Sequence, residues 1–170
     1  TGNLDTTFDT DGKAIFSRTG QDTGYGITVQ ADGKILLVGS SHTGTDFDFA
    51  VVRFGSDGTL DTTFGTGGLV VTDITTSEND TAYAVASLAD GKILVVGTTD
   101  TGVDKDFAVV RYHSTGELDT TFNSNGVKIA SIGLADDVAR SVTVQSDGKI
   151  IAAGFSEVLG KNRFSIARFT

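Results

Sequence analysis

The sequence predicts an all-β fold made of three four-stranded antiparallel repeats, and three markers recurring in one phase carry that prediction. Leu-Asp-Thr-Thr-Phe stands at Leu4 to Phe8, Leu60 to Phe64 and Leu118 to Phe122, at spacings of 56 and 58 residues. Asp-Gly-Lys-Ile stands at Asp32 to Ile35, Asp90 to Ile93 and Asp147 to Ile150, at spacings of 58 and 57 residues. An aromatic, three small or aliphatic residues, an Arg and a second aromatic recur at Phe49 to Phe54, Phe107 to Tyr112 and Phe164 to Phe169. The units run over about 4–59, 60–117 and 118–170 of a single repeat domain covering 1–170. A unit of about 57 residues with four strands is longer than a β-solenoid rung and fits one blade of a β-propeller, with a stacked sandwich or solenoid as the alternative.

Strand A is expected at Gly24 to Gln30, Ala82 to Leu88 and Ala139 to Gln145, where Tyr25, Ile27 and Val29 alternate with small or polar residues in the first copy, the pattern of a half-buried strand. The Asp-Gly pair that follows tolerates the positive φ of a tight turn, so A and the next run form a hairpin. That run, strand B, is Ile35 to Ser41, Ile93 to Thr99 and Ile150 to Ser156. It opens with unbroken apolar stretches, Ile35 to Val38 and Ile93 to Val96, which calls for a sheet covered on both faces. Strand C is the Phe/Arg/aromatic run. Strand D follows the Leu-Asp-Thr-Thr-Phe loop as Leu69 to Ile74, Val127 to Ile132 and, near the N-terminus, Lys13 to Thr19. No window carries apolar residues at helical spacing over three turns, and Gly recurs too often for a helix interior.

Composition narrows the function. A formal net charge of −9 works against phosphate backbones and anionic membrane surfaces, so neither nucleic acid binding nor membrane insertion is expected. No apolar run approaches the roughly 20 residues of a membrane-spanning helix. The first residues lack the basic and apolar parts of a signal peptide, and the opening without Met suggests a mature or excised segment. Cys, Met, Trp and Pro are absent, which removes disulfides, thiolate nucleophiles and Cys-based zinc sites. Abundant Gly, Thr, Asp and Ser point towards a bacterial secreted or cell-surface repeat protein.

Few residues invite a chemical reading. Asp5, Asp61 and Asp119 precede Thr-Thr-Phe, and Arg53, Arg111 and Arg168 end strand C; recurring in every copy, they read as scaffold, an Asp accepting turn amides or a neighbouring Arg. Leu4, Leu60 and Leu118, with Phe8, Phe64 and Phe122, are expected to plug the gaps between blades. Asp46 with Asp48 and Asp104 with Asp106 are the candidate calcium ligands, although a full calcium loop needs more oxygen donors than these pairs supply. Asp9 and Asp11 before Gly12 are a further fragment of such a loop. His42 and His113 are the only imidazoles, lie in different phases of the repeat, and are expected in exposed loops. No acid/base or nucleophile set breaks the repeat symmetry, so no catalytic residue and no cofactor is assigned, and the protein is not expected to be an enzyme. The B to C loops at Ser40 to Asp46, Thr98 to Asp104 and Ser156 to Lys161 vary most and are where ligand contacts would arise. Asn79-Asp80-Thr81 fits a glycosylation sequon.

Leu-Asp-Thr-Thr-Phe with its Gly-rich turn, Ala89-Asp-Gly-Lys-Ile-Leu-Val-Val-Gly97 and Asp106-Phe-Ala-Val-Val-Arg-Tyr112 together resemble the delta-60 repeat family, over nearly the whole chain. The resemblance implies tandem repeats in large bacterial proteins, a β-propeller fold and no general activity or catalytic residues to transfer. The layout is also similar, more loosely, to NHL-type blades.

The phase of the repeat sets an assembly expectation. The third unit ends after strand C, and Lys13 to Thr19 offers the missing strand D, so that neither end leaves a bare edge. Three blades are too few to close around an axis. Strand D of one copy is therefore expected to complete the last blade of another, through Leu4, Phe8, Ala14, Ile15 and Phe16 on one side and Phe164, Ile166, Arg168 and Phe169 on the other. Two chains would give a six-bladed ring, and a contact that fails to close would give a filament. The alternatives are a piece of a longer array and a propeller that binds glycan, peptide or calcium as part of a larger surface protein.

Overall fold

A computed structural model describes residues 2–170, and Thr1 lies outside them. Among the described residues there are eleven strands and no helix, in three antiparallel sheets. The first holds β1 (Asp22–Val29), β2 (Ile35–His42), β3 (Phe47–Phe54) and β4 (Leu69–Thr72) in chain order. The second holds β5 (Asp80–Ser87), β6 (Ile93–Asp100), β7 (Lys105–Tyr112) and β8 (Val127–Ala130) in the same order. The third has β9 (Asp137–Val144), β10 (Ile150–Val158) and β11 (Lys161–Phe169). These are strands A to D of successive repeats, the third lacking D.

Each A–B hairpin turns on the Asp-Gly pair. In the first, the Gln30 amide donates to the Lys34 carbonyl at 2.8 Å, the Asp32 carboxylate accepts the Lys34 amide at 3.1 Å, and Gly33 sits at φ +85°, which a residue with a Cβ adopts only under strain.

The sheets pack face to face through two apolar layers. Leu36, Val38, Phe49 and Val51 of the first sheet meet Ile93, Val95, Ala108, Val110 and Tyr112 of the second, with Phe64 at the rim. Leu94, Val96, Phe107 and Val109 meet Ala139, Ile150 and Ala152 of the third, with Phe122 in the matching place. Strand B of the second sheet is therefore apolar on successive residues because it lies between two neighbours, as its unbroken run predicts. Strand A is innermost: Tyr25, Tyr83 and Arg140, at one position of the repeat, form a column across β1, β5 and β9, the rings 5.1 Å apart and the guanidinium 3.9 Å above Tyr83.

Three expectations need correction. Lys13 to Thr19 is not a strand: its repeat-equivalent ladder partner is β11, which belongs to the sheet at the other end of the stack, and an isolated segment gains no ladder hydrogen bonds. Ala14, Ile15 and Phe16 instead lie over the open face of the first sheet. The Leu plugs are not core: Leu4 and Leu118 are exposed and Leu60 half-buried, whereas Phe64 and Phe122 are buried and Phe8 half-buried. The aromatic, reaching further from the loop, is the plug. Strand D also stops two residues short of the expected end, at Thr72 and Ala130, because the Ile74 and Ile132 amides leave the ladder to donate to the carboxylates of Asp80 and Asp137 at 2.7 and 2.6 Å.

Gly39, Gly97 and Gly154 hold one position of strand B opposite an irregularity in the A–B pairing. A Cβ at Gly97 would collide with the Thr81 carbonyl oxygen, and one at Gly39 or Gly154 with the carbonyl of Thr23 or Val138. Substituting Gly97→Ala is expected to destabilise the chain by roughly 1–3 kcal/mol, the range for overpacking a tight interior, read as a lower midpoint in urea unfolding.

Candidate functional site

The residues that repeat most strictly assemble at the rim of each sheet. At the first junction Asp61 Oδ1 accepts the Thr63 amide and hydroxyl at 3.1 and 2.6 Å, leaving Oδ2 for Arg53 Nε at 2.8 Å and Lys34 Nζ at 2.9 Å. At the second, Asp119 Oδ1 accepts the Thr121 amide and hydroxyl at 3.1 and 2.6 Å, and Oδ2 meets Arg111 Nε at 2.7 Å and Lys92 Nζ at 3.1 Å. Each Arg also lies over the plug ring, Arg53 at 4.5 Å from Phe64 and Arg111 at 4.8 Å from Phe122. Arg53 reaches further, donating from Nη1 to the Ser114 carbonyl of the next repeat at 2.6 Å. One guanidinium thus ties its own strand C, the following loop and the neighbouring sheet.

Thr121 first, then Lys92 and Arg111, hold the Asp119 carboxyl well below the usual carboxylate range, against the opposing effect of burial. Asp61 is lowered in the same way by Thr63, Lys34 and Arg53. The scaffold reading of these Asp and Arg residues agrees with the geometry. The Lys of Asp-Gly-Lys-Ile joins them, a role hidden in the sequence because that tetrapeptide already has a reason to recur in its turn.

The N-terminal loop is the same device with its cations missing. Asp5 Oδ1 accepts the Thr7 amide and hydroxyl at 3.0 and 2.7 Å, and the Gly12 amide donates to the Phe8 carbonyl at 2.7 Å, matching 2.9 Å for Gly68 to Phe64. This loop docks on the first sheet as its successors dock on theirs. The Asp9 amide donates to the Asp57 carbonyl at 2.7 Å where the Gly65 amide donates to Thr115 at 2.9 Å, and Phe8 packs against Gly58 where Phe64 packs against Gly116.

The third sheet holds the opposite half. Arg168 and Lys149 stand where Arg53 and Lys34 stand, but no Leu-Asp-Thr-Thr-Phe loop meets them, and Lys149 turns to Asp147. Among the described residues no strand pairs with the outer edge of β11. Phe164 is 104% exposed and Ile166 66%, whereas Phe49, Phe107, Val51 and Val109, at the same two positions, are all at 0%. Between the Ala14–Phe16 segment and the first sheet lies a cavity of about 240 Å³, lined by Ile15, Phe16, Leu37, Ala50, Val52 and Phe54 among others. Its sheet wall is the repeat equivalent of Val95, Ala108, Val110 and Tyr112, the surface of the second sheet that Phe49 and Val51 cover at the first internal junction.

Within each candidate calcium pair the two carboxylates differ in their bonding. Asp46 takes the hydroxyls of Thr43 and Thr45 at 3.0 and 2.8 Å, and Asp104 that of Thr101 at 3.2 Å. Asp48 instead gathers with Asp73 and Asp80, and burial raises the carboxyls of Asp48 and Asp106. Asp73 went unnoticed in the sequence, and Asp80 was visible only as the centre of a sequon. The legible signal was the recurrence of Asp22, Asp80 and Asp137 at 58 and 57 residues. Asn79 of that sequon accepts the Phe47 amide at 3.1 Å. His42 ends β2 and stands edge-on to Phe47, and His113 lies 3.7 Å from Asp119; both are half-buried rather than free in loops.

The Asp119 geometry fixes a sign. Its lowered carboxyl contributes stability above the ordinary carboxylate range, and that contribution is lost as pH falls towards the folded value. Asp119→Asn is expected to lower stability at neutral pH by roughly 1–3 kcal/mol, the usual cost of breaking a buried polar pair, and to flatten the acid limb of a plot of melting temperature against pH.

Comparison with known proteins agrees with the repeat geometry. A family model described as a domain of unknown function (DUF5122) beta-propeller matches residues 30–64, 88–122 and 145–170. The first two segments run from the end of strand A to the plug Phe. No curated protein matches the chain. The match supports a β-propeller repeat family, while the delta-60 designation rests on the motif resemblance alone. With three segments covering more than half of its length, the chain belongs to the DUF5122 β-propeller family.

Proposed function

We propose that this chain is a non-enzymatic self-assembly module, a set of propeller blades that completes its last sheet with the N-terminal segment of another copy. The observation that carries the reading is the split rim: Asp5 and Phe8 are arranged and docked without an Arg, and Arg168 and Lys149 are arranged without an Asp. By the register of the repeat, Arg168 would meet Asp5 as Arg53 meets Asp61, and Ile166 would stand opposite Ala14 as Val51 stands opposite Val70. The exposed side chains of Phe164 and Ile166 would fill the cavity under Ala14–Phe16, burying apolar surface and an open sheet edge in one step.

Three sheets per chain make a closed pair of copies a six-bladed ring. A head-to-tail contact that does not close would propagate as a filament. A structural or adhesive role at a bacterial cell surface is the setting proposed for such a module, on the composition and the repeat resemblance.

Light scattering at micromolar concentration is expected to give twice the 17.6 kDa chain mass or a larger assembly. Arg168→Ala should raise the dissociation constant at least about tenfold, the equivalent of about 1.4 kcal/mol. Because the chain has no Cys, an Ala14→Cys, Ile166→Cys double variant reports directly on the pairing. A disulfide-linked dimer on a non-reducing gel supports the reading; a strictly monomeric, folded chain without intermolecular cross-links overturns it.

A further inference from the structure

The junction between the first two sheets contains a group of carboxylates that the assembly reading does not use. Asp48 is the second residue of β3, Asp73 follows β4, and Asp80 opens β5. One oxygen from each lies within 4.8 Å of the other two. Asp48 and Asp80 are buried, at 3% and 0% exposure. Among the described residues, none of the ion pairs includes any of the three.

The bonding of Asp80 is one-sided. Its Oδ2 accepts the Ile74 amide at 2.7 Å and the Thr75 amide at 3.4 Å, which fixes the plane of the carboxylate. Its Oδ1 is sealed from solvent without a partner, and so is Oδ1 of Asp48. A separate side chain repeats the pattern: Ser41, directly opposite Asp48 in the β2–β3 ladder, is fully buried and its hydroxyl has no partner. Directly opposed residues of an antiparallel pair project to the same face, so this hydroxyl shares its face of the first sheet with the Asp48 carboxylate. Buried carboxylate oxygens are normally paired or bound to metal, and here two of them converge with a third carboxylate.

We propose that Asp48, Asp73 and Asp80 hold a calcium ion between the first two blades, with the Ser41 hydroxyl as a neighbouring oxygen donor. All the donors are oxygens, which favours a hard cation over zinc or copper. Calcium accepts an irregular set of six to eight oxygens, whereas magnesium demands a near-ideal octahedron and gives up its waters reluctantly. The ion would neutralise two of the three charges and join strand C and the strand D exit of one sheet to the first residue of the next. The second junction lacks the full set, because Ser131 takes the place of Asp73 there, so one ion per chain is expected.

The test is calcium titration of the chelator-treated full chain by calorimetry, with melting temperature followed in parallel. Expected are one site per chain, a higher melting temperature with calcium, and a smaller rise with magnesium at the same concentration. Asp73 is exposed, so Asp73→Asn should fold as the parent does and lose at least about tenfold in calcium affinity, which corresponds to about 1.4 kcal/mol. Absence of calcium heat and of any melting shift at millimolar calcium, or unchanged binding in Asp73→Asn, overturns the proposal. Neither result depends on whether copies of the chain associate.

Discussion

The bond between a strand C arginine and the Leu-Asp-Thr-Thr-Phe aspartate governs this architecture. A four-stranded sheet can meander without it, but stacked sheets need something to fix their relative height and angle, and apolar layers alone are poor at this because they slide. The Asp61 and Asp119 carboxylates divide their oxygens, one for the loop and one for the cations. The loop shape and the ion pair therefore form together. Arg53 then extends to the Ser114 carbonyl in the turn after β7 of the next repeat, which ties the first junction to its neighbour. The plug phenylalanine under each guanidinium keeps water from the pair and joins the apolar layer beneath.

This arrangement explains why so much of the fold could be read from the chain. Strands B and C are apolar on consecutive residues and bounded by Asp-Gly or by Arg, so both their extent and their double burial follow from pattern. Strand D was harder. At Ile74 and Ile132 the carboxylate that opens the next strand competes for the amide, and no local propensity records that competition. Lys13 to Thr19 resembles its two counterparts in sequence yet has no ladder partner within reach, since a strand is a property of pairs rather than of segments.

The site was legible in part for the same reason. Periodic residues identified Asp61, Arg53 and their equivalents, because each copy solves the same packing problem. The leucines expected as plugs are not in the gap: a loop residue beside a repeated Asp can point either way, and only the larger aromatic reaches it. The Asp48, Asp73 and Asp80 group was opaque, because its members come from three different phases of the repeat and one of them, Asp73, has Ser131 as its counterpart. Sequence periodicity finds what every blade shares; convergence across a junction has to be seen in space.

The loop from Asp5 to Gly12 closes with the bonds of its two siblings although no guanidinium engages it. Its internal bonds are consequently set by about eight contiguous residues and need no guanidinium, while Asp9 and Phe8 dock the loop on Asp57 and Gly58. A turn closed by bonds near in sequence reduces the entropy lost in bringing strand C to strand D, and such local contacts favour rapid folding. The same Asp–Thr bonds recur at Asp5, Asp61 and Asp119, so every added unit brings the closure of its own C-to-D connection with it.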